Sequence, residues 1–421
     1  MRTFDLRREP DLPVARPRGG EEPLEMVREI LAVVRAGGDR VIRELTDRFD
    51  GVWVTEFRVP PEEIEEAAAA APAPFMAALG EAATRIRAFA ERQRLQSWRA
   101  EVGGGVIGEL VRPVDRAGLY VPGGRAAYPS SVLMCAIAAA VAGGPEVALC
   151  TPPGEDGRVP RPTLAAAHLA GVREVYRVGG AQAIAAMAFG AESIPRVEVI
   201  VGPGNLYVAL AKREVAGMVA IDSVAGPSEI AIVAGEESDP RVVAADLISQ
   251  AEHGPHGSFL LVTWEEELIG EVEKAMDRIL ADVEASDDLR AAVQEGCCAI
   301  LVSGIDQAIE AVNRFAPEHL ELLFEGAEAA LEGIRHAGAV FVGPYSPVSL
   351  GDYLAGTNHV LPTGGAARFA SGLRTSHFQK TSGLVVYDRD SLERAVPFLK
   401  VLAEAEELPN HARAVEARFQ R

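Results

Sequence analysis

The sequence lacks the features that mark membrane, secreted and nucleic-acid-binding proteins. Its longest apolar run, residues 132–142, is well short of the ~18–20 residues that a membrane-spanning helix needs. Residues 1–5 contain no apolar stretch typical of a secretion signal. The net charge of −20, from 41 basic and 61 acidic residues, argues against nucleic acid or an anionic membrane as a main partner.

Cysteine is scarce, and the few cysteines are not arranged for metal binding or disulfide exchange. The chain has 4 of them, Cys135, Cys150, Cys297 and Cys298, with neither zinc-ribbon nor CxxC spacing. This pattern fits a reducing compartment best, so we expect a cytoplasmic protein. All four lie in or beside apolar runs, which favours buried small hydrophobic side chains over a catalytic thiolate.

The chain is long enough for two to four domains, with 421 residues of which 48% are hydrophobic. Its hydrophobic pattern alternates twice between predicted strands and predicted helices. In the first alternation these are strands 147–150, 175–178 and 197–201 with helices 163–169, 181–189 and 205–215. In the second they are strands 229–234, 258–263, 299–303 and 339–342 with helices 240–253, 265–281 and 305–314. We therefore predict an α/β protein with two doubly wound Rossmann-like halves.

Helical extensions and one irregular segment surround these halves. Residues 21–98 read mainly as helices, followed by short strands broken by glycines at 106–107, 110–111 and 119–121. Residues 343–382 have almost no periodicity, and a segment of that length in a compact enzyme is usually functional. We expect four aromatic residues to anchor it, namely Phe341, Tyr345, Tyr353 and Phe369. A last strand, 383–387, precedes terminal helices at 391–407 and 411–419.

Three glycine-bearing turns follow predicted strands and lead into helices. They are Tyr120-Val121-Pro122-Gly123-Gly124, Val178-Gly179-Gly180-Ala181-Gln182 and Val201-Gly202-Pro203-Gly204-Asn205. Such turns let the backbone approach a phosphate, although none has the GxGxxG spacing of a dinucleotide fingerprint. They predict either a nucleotide crevice or ordinary strand-to-helix turns.

The helix predicted at 240–253 ends in a candidate metal site. Asp239 and Pro240 suit its start, and Gly254 its end. Gln250 and His253 share one face of the last turn, so they either hold half of a metal shell or form a plain polar helix end. With Asp352 and His411 they would complete a four-ligand shell for zinc, and Asp246 on the same face is an alternative ligand.

The adjacent pair Glu318 and His319 is the candidate acid/base group. Two neighbouring titratable residues can serve one site only at a turn, which Pro317 favours. A histidine near its neutral pKa is a natural general base. The alternative is an exposed Glu-His pair at the start of a helix or strand.

Taken together, these motifs resemble those of histidinol dehydrogenases over nearly the whole chain. The resemblance rests on the three glycine-bearing turns and on further segments in the same order, namely Asp222-Ser223-Val224-Ala225-Gly226-Pro227-Ser228-Glu229, Gln250-Ala251-Glu252-His253, Ala316-Pro317-Glu318-His319-Leu320, Gly351-Asp352-Tyr353 and Thr357-Asn358-His359-Val360-Leu361-Pro362-Thr363. It implies oxidation of L-histidinol to L-histidine through the aldehyde with two NAD, in the final steps of histidine biosynthesis.

The resemblance also implies a role for each candidate residue. The zinc ligands would be Gln250, His253, Asp352 and His411. His319 would be the base of both oxidations and Glu318 would activate water, without a covalent intermediate. The residues contacting NAD would be Tyr120, Gln182 and Asn205. The substrate contacts would be Ser228, Gln250, His253, His319, Asp352, Glu406 and His411, with Glu407 as an alternative to Glu406.

The resemblance further implies a homodimer with shared active sites. The predicted divisions are an arm at 1–19, a first Rossmann-like domain at 20–119 and 230–373 with most metal ligands, an NAD-binding Rossmann-like domain at 120–229, and a tail at 374–421 that crosses to the partner. Three rival readings stay open: the same fold acting on another polar primary alcohol, a cysteine-dependent aldehyde dehydrogenase, and a non-catalytic zinc-stabilised nucleotide-binding module.

Overall fold

Two parallel β-sheets, each flanked by helices, and one small antiparallel sheet make up the chain. The structure is a computed structural model and describes residues 1–9, 21–123, 126–224, 226–254 and 256–419. The strands are β1 (Arg2–Asp5), β2 (Trp98–Val102), β3 (Gly105–Pro113), β4 (Arg116–Tyr120), β5 (Glu146–Thr151), β6 (Glu174–Arg177), β7 (Val199–Val201), β8 (Ala220–Ile221), β9 (Glu229–Ala234), β10 (Ser258–Thr263), β11 (Cys297–Leu301), β12 (His319–Leu323), β13 (Ala339–Val342) and β14 (Gln379–Val386). The helices are α1 (Glu21–Asp50), α2 (Pro61–Ala69), α3 (Ala73–Arg92), α4 (Pro129–Ala142), α5 (Arg161–Leu169), α6 (Gly180–Phe189), α7 (Leu206–Val215), α8 (Pro240–Ala251), α9 (Glu266–Asp282), α10 (Asp287–Gly296), α11 (Ile305–Phe315), α12 (Ala327–Ala330), α13 (Val348–Tyr353), α14 (Arg389–Ala405) and α15 (Pro409–Glu416).

The larger parallel sheet has six strands in the order β1-β11-β10-β9-β12-β13. Three predicted strands, 229–234, 258–263 and 339–342, have the observed bounds of β9, β10 and β13. β11 begins two residues before the predicted strand at 299–303. Apolar cores lie on both faces of this sheet, as a doubly wound fold requires.

Two strands of this sheet and one helix beside it were not predicted. β12 contains a charged residue, Glu321, between leucines, which hides a buried strand from a pattern search. Helix α10 begins after Ser286, whose hydroxyl accepts from the Leu289 amide over 3.2 Å. Residues 2–5, predicted as part of a polar arm, instead form the edge strand β1 and pair in parallel with β11. Residues 10–19 of the predicted arm lie outside the described residues.

The second parallel sheet has five strands in the order β6-β5-β4-β7-β8, with β4 in the centre. From β4 the chain moves outward through β5 to β6, then crosses back to β7 on the other side of β4. The ends of β4 and β7 therefore form a topological switch point, the usual place for a nucleotide in such sheets. Apolar cores cover both faces here too, so the predicted α/β fold with two doubly wound halves is confirmed.

Helices α1, α2 and α3 pack on the five-stranded sheet. Val27 and Ile42 of α1 share a core with Tyr120, and Ile64 of α2 shares one with Leu119. This packing differs from the predicted grouping of residues 20–119 with 230–373. The physical reason is that the helices bury their apolar faces on the sheet whose central strand, β4, follows them in the chain.

The small antiparallel sheet joins distant parts of the chain in the order β14-β3-β2. β3 is one nine-residue strand rather than the two short strands predicted, and β14 begins four residues before the predicted strand at 383–387. Gly108 permits the close pairing, because a Cβ atom there would lie 2.2 Å from the carbonyl oxygen of Trp98. α3 ends at Arg92, so the helix predicted to reach residue 98 is shorter than expected.

The irregular segment is largely as predicted, but three of its four expected aromatic anchors are exposed in this chain. Between β13 and β14 it holds the short helix α13 and two single 3₁₀ turns. Tyr345 is 91% exposed and Phe369 is 86% exposed, and Tyr353 is exposed as well. Phe341, in contrast, is half-buried and packs against the core beside β12. The expectation that all four aromatics anchor the segment within the chain is therefore wrong for Tyr345, Tyr353 and Phe369 and correct for Phe341.

The C-terminal tail is a helical hairpin. α14 and α15 pack on each other, and Lys400 and Glu416 form an ion pair between them. The tail still exposes large apolar side chains, including Phe398, Val401 and Leu402. Within the described ranges of the chain, none of the helices combines the length and apolar character needed to cross a membrane.

Candidate active site

The candidate catalytic pair lies at the amino-terminal edge of the six-stranded sheet. His319 is the first residue of β12 and sits opposite Ile230, the second residue of β9. Ala316, with φ of 52°, ends α11 in the left-handed region, so the chain turns sharply before Glu318. That turn allows two adjacent side chains to serve one site, as their spacing requires.

Both members of the pair are hydrogen bonded to the backbone of one residue, Glu229. Glu318 Oε2 accepts from the Glu229 amide over 3.0 Å, and His319 Nδ1 lies 3.1 Å from the Glu229 carbonyl oxygen. His319 Nδ1 and Glu318 Oε2 are 3.6 Å apart. Both side chains are buried, so these bonds fix their orientation.

The bond from His319 to a carbonyl determines which ring nitrogen carries the proton. A carbonyl oxygen can only accept, so Nδ1 must be the donor and Nε2 keeps its lone pair. Nε2 is buried without a hydrogen-bond partner among the described residues, and it lies 3.9 Å from Asp352 Oδ1. Burial lowers the pKa of His319 to about 3, which keeps the ring neutral but makes it a weaker base than an exposed histidine.

Burial shifts the pKa of Glu318 in the opposite direction to that of His319. Burial raises the pKa of Glu318 well above its usual value, against the hydrogen bond from Glu229, which lowers it. A carboxylate with a raised pKa is a stronger base than a solvated one, so this group suits proton transfer with water.

Helix α8, the turn after it and helix α13 carry three candidate metal donors, Gln250, His253 and Asp352. α8 begins as predicted, with Asp239 accepting from the Arg241 amide over 2.8 Å. It ends at Ala251, so Gln250 is in its last turn and His253 lies in the turn beyond, exposed. Gln250 is buried and its Oε1 has no donor within the described part of the chain. Burial raises the pKa of Asp352 to about 7.

Within one chain the structure does not bring the tail residues to these donors. Glu406 follows α14 and His411 lies in α15, and both are exposed. Among the described residues, no three side chains of histidine, cysteine, aspartate or glutamate form a metal-binding group. Ser228, in contrast, lies close to the pair, because it directly precedes Glu229 and β9.

His359 belongs to the site and was not singled out as a site residue from the sequence. Its Nδ1 donates to the backbone oxygen of Asp352 over 3.0 Å, and its Nε2 accepts from the Ser131 hydroxyl over 2.8 Å. It thereby ties the end of α13 to the start of α4. The sequence signal was the polar triplet 357–359 in the irregular segment, but its partner lies 228 residues away in the chain.

The candidate NAD residues surround the switch point of the five-stranded sheet. Tyr120 is buried, and its hydroxyl accepts from the Gly180 amide over 3.0 Å. Gln182 is buried in the first turn of α6. Asn205 caps α7 by accepting from the Val208 amide over 3.1 Å. A Cβ atom at Gly202 would lie 2.0 Å from the Tyr120 carbonyl oxygen, so glycine is needed where the ends of β4 and β7 meet.

A buried ion pair fixes the turn after β7. Asp222 accepts from the Gly202 amide over 2.8 Å, and Lys212 donates to the Gly202 carbonyl over 2.9 Å. Lys212 and Asp222 are themselves paired and buried. Sequence reasoning did not identify this support, because a lysine inside a helix gives no sign that its ammonium group is buried.

The four cysteines do not have the environment of a nucleophile. All four are buried, and burial raises the pKa of Cys150 and Cys297 to about 12 and of Cys298 to about 11. Burial raises the pKa of Cys135 as well. A thiol that stays protonated in apolar surroundings is unreactive.

The chain is similar in sequence and structure to known proteins of one family. A sequence model of the histidinol dehydrogenase family matches residues 16–419. The chain is 47% identical to the histidinol dehydrogenase of Bacillus cereus over 395 residues, covering 94% of this chain and 92% of that protein.

The chain belongs to the histidinol dehydrogenase family. It is 45% identical to the family member from Methanothermobacter thermautotrophicus over 417 residues, which cover 99% of this chain and 98% of that protein. The crystal structure of the histidinol dehydrogenase from Elizabethkingia anophelis is similar with a TM-score of 0.91 and 34% identity, covering 100% of this chain and 98% of that one. Like these relatives, the chain is an enzyme of the dehydrogenase class.

Proposed function

We propose that this chain oxidises L-histidinol to L-histidine through the aldehyde, with zinc and two NAD per turnover, in the final steps of histidine biosynthesis. The observation that carries the proposal is the arrangement of Glu318 and His319 on the backbone of Glu229. It provides a neutral imidazole with a free lone pair and, beside it, a carboxyl suited to activating water. The reaction needs these two groups at one carbon.

His319 acts as the base in both oxidations. Its Nε2 takes the proton of the substrate hydroxyl while hydride leaves the same carbon, and the Glu229 carbonyl stabilises the imidazolium that forms. The ring cannot turn away, because its Nδ1–H is held by that carbonyl. Glu318 accepts a proton from the water that attacks the aldehyde, while the protonated His319 gives its proton to the aldehyde oxygen, so the hydrate forms and His319 is neutral again. The hydrate then loses a hydroxyl proton to His319 as the second hydride leaves. Thiol chemistry is not required, in agreement with the buried cysteines.

The donors around Asp352 fit a zinc ion. Gln250 Oε1 is a buried oxygen without a donor among the described residues, and burial raises the pKa of Asp352 to about 7, so a cation would stabilise its carboxylate. Gln250, His253 and Asp352, with His411 of the partner subunit, would form the shell of four N and O ligands that zinc prefers. When bound, zinc would orient the substrate by its imidazole and amine groups. Ser228, His319 and the partner subunit's Glu406 would complete the contacts with substrate.

The switch point of the five-stranded sheet fits NAD. The turn from Gly202 to Asn205 ends at the N-terminus of α7, where backbone amides and the helix dipole favour a phosphate. Tyr120 lies against Gly202 of this turn, and Asn205 ends the turn. The Tyr120 hydroxyl also binds the Gly180 amide at the start of α6, the helix that carries Gln182. When bound, NAD accepts the hydride in each oxidation. β8, the neighbour of β7, ends at Ile221, and Glu229 begins β9 after an interval of seven residues.

A homodimer would complete the site. Glu406 and His411 lie on an exposed hairpin that also exposes Phe398, Val401 and Leu402, a combination typical of an interface. We propose that the tail, residues 374–421, crosses to the partner, and that the two Rossmann-like domains keep the roles predicted for them. The cytoplasmic location also stays a prediction.

Metal removal and re-addition tests this function. Purified enzyme with NAD should form histidine from L-histidinol, lose this activity on dialysis against a chelator as its zinc content falls, and regain it with added zinc. An enzyme that holds no zinc as purified, or oxidises histidinol equally well after complete zinc removal, would contradict the proposal.

A further inference from the structure

Two neighbouring carboxyl groups, one fully buried and one half-buried, lie on elements that carry residues of the candidate active site. Glu321 is fully buried in β12, and the side chain of Asp246 in α8 lies within hydrogen-bonding distance of it. Glu321 Oε1 accepts from the Val348 amide over 2.9 Å, at the start of α13. Glu321 Oε2 has no donor within the described ranges, so the contact with Asp246 needs a proton held by one of the two carboxyls.

Asp246, Glu321 and Val348 each lie in the same helix or strand as a residue of the candidate site. Asp246 and Gln250 are four residues apart in α8, so they share a helix face. Glu321 and His319 are two residues apart in β12, so they point to the same face of the sheet. Val348 is the first residue of the short helix α13, and Asp352 is its second-last residue. The pair therefore connects the three elements that carry Gln250, His319 and Asp352.

Packing alone would not specify this register. The apolar residues on this face, such as Leu247, Leu323 and Val348, contribute non-directional burial. A hydrogen bond, in contrast, fixes the distance and angle between the groups it joins. Burial raises the pKa of Glu321 to about 8, so the carboxyl pair still holds a proton at neutral pH.

We propose that Glu321 and Asp246 are positioning residues, which hold α8, β12 and α13 in the relative placement that the zinc donors and His319 require. This inference rests on the proposed function. In this proposal neither residue touches substrate or metal. Asp246 was an alternative metal ligand in the sequence analysis, but here its carboxyl group binds Glu321.

Variants of Glu321 separate positioning from stability. Glu321→Ala removes both bonds. Glu321→Gln keeps them, because its amide oxygen can accept from Val348 and its amide nitrogen can donate to Asp246. Leu322→Ala is the matched control, since Leu322 is the next residue of β12, is equally buried and packs in the core on the opposite face. Zinc affinity is measured by competition with a chromogenic chelator, next to thermal unfolding, kcat and KM.

Glu321→Ala should bind zinc about 10- to 100-fold more weakly, the usual effect of losing an outer support of a metal site. Glu321→Gln should bind it nearly as tightly as wild type. Leu322→Ala should unfold at a lower temperature with unchanged zinc affinity. Wild-type zinc affinity in Glu321→Ala, or an equal loss in Leu322→Ala, would overturn the inference.

A second pair of variants covers the case in which Glu321→Ala does not fold. Asp246→Ala breaks only the bond between α8 and β12 and should weaken zinc binding, whereas Asp246→Asn can still donate to Glu321 and should not. Equal zinc affinity in both would overturn the inference. Failure of the wild-type chain to bind zinc would instead overturn the proposed function, and this inference with it.

Discussion

His319 donates from Nδ1 to the backbone oxygen of Glu229 over 3.1 Å, and this single bond defines the chemistry of the ring. It leaves Nε2 unprotonated, buried and without a partner among the described residues, 3.9 Å from Asp352. Because the same Glu229 also binds Glu318, one backbone unit at the start of β9 positions both candidate catalytic groups.

His319→Asn should separate the base from the metal site. The asparagine amide can still donate to the Glu229 carbonyl, but the lone pair of Nε2 is lost. We expect turnover to fall by about 10²–10⁴, the usual contribution of a general base, with zinc content unchanged. The loss should shrink as pH rises and hydroxide substitutes for the base.

His253→Ala should lose zinc and activity together, and His168→Asn, at an exposed position of α5, should change neither. Loss of zinc in His319→Asn would contradict this division of roles.

Replacing all four cysteines should leave the chemistry intact. Because each thiol is buried with a raised pKa, the quadruple Cys→Ala variant should keep turnover within a few-fold of wild type. Circular dichroism and thermal unfolding provide the control that the variant is folded. Loss of more than about 10³ in turnover by a folded variant would revive a thiohemiacetal mechanism.

The stability of the enzyme should depend on pH through Glu321. Burial raises the pKa of Glu321 from its usual 4.5 to about 8, so between these values the folded chain holds a proton that the unfolded chain releases. The contribution of this group to the free energy of unfolding therefore falls as pH rises through that window. In Glu321→Gln this contribution is absent, so urea unfolding at pH 5 and pH 8 should differ less than in wild type. An identical pH dependence in both proteins would contradict the assignment.

Much of the fold was predictable because the buried parallel strands have continuous apolar sequences. β9, β10 and β13 were predicted residue for residue on that basis. β12 was missed because Glu321 is buried within it, and the reason for that burial, a partner on α8, is not visible in a linear pattern. The burial of Lys212 was missed for the same reason.

The sequence predicted which residues form the site, but not which neighbouring residues hold them in place. The adjacent Glu318 and His319 imply a turn from geometry alone, and the structure has that turn at Ala316. The role of His359 depends on Ser131, 228 residues earlier, and the tautomer of His319 depends on Glu229, 90 residues earlier. The place of His411 depends on a second chain, which a single sequence does not describe.

Mixed dimers should reveal whether the tail crosses between subunits. Asp352→Ala and His411→Ala chains are each inactive alone, since every site lacks one ligand. If the tail crosses, a mixed dimer has one site with both defects and one with none. Unfolding and refolding the two together pairs them at random, so about a quarter of wild-type activity should return. A mixture that stays inactive, while wild type refolds under the same conditions, would show that each tail serves its own chain.

The number of NADH formed per histidinol tests the central claim most directly. Limiting L-histidinol is incubated to completion with zinc-loaded enzyme and excess NAD, with NADH followed by absorbance and the products separated by chromatography. Because Glu318 and His319 together support both oxidations, we expect two NADH for each histidinol consumed and histidine as the product. One NADH per histidinol, with the aldehyde accumulating, would contradict the account.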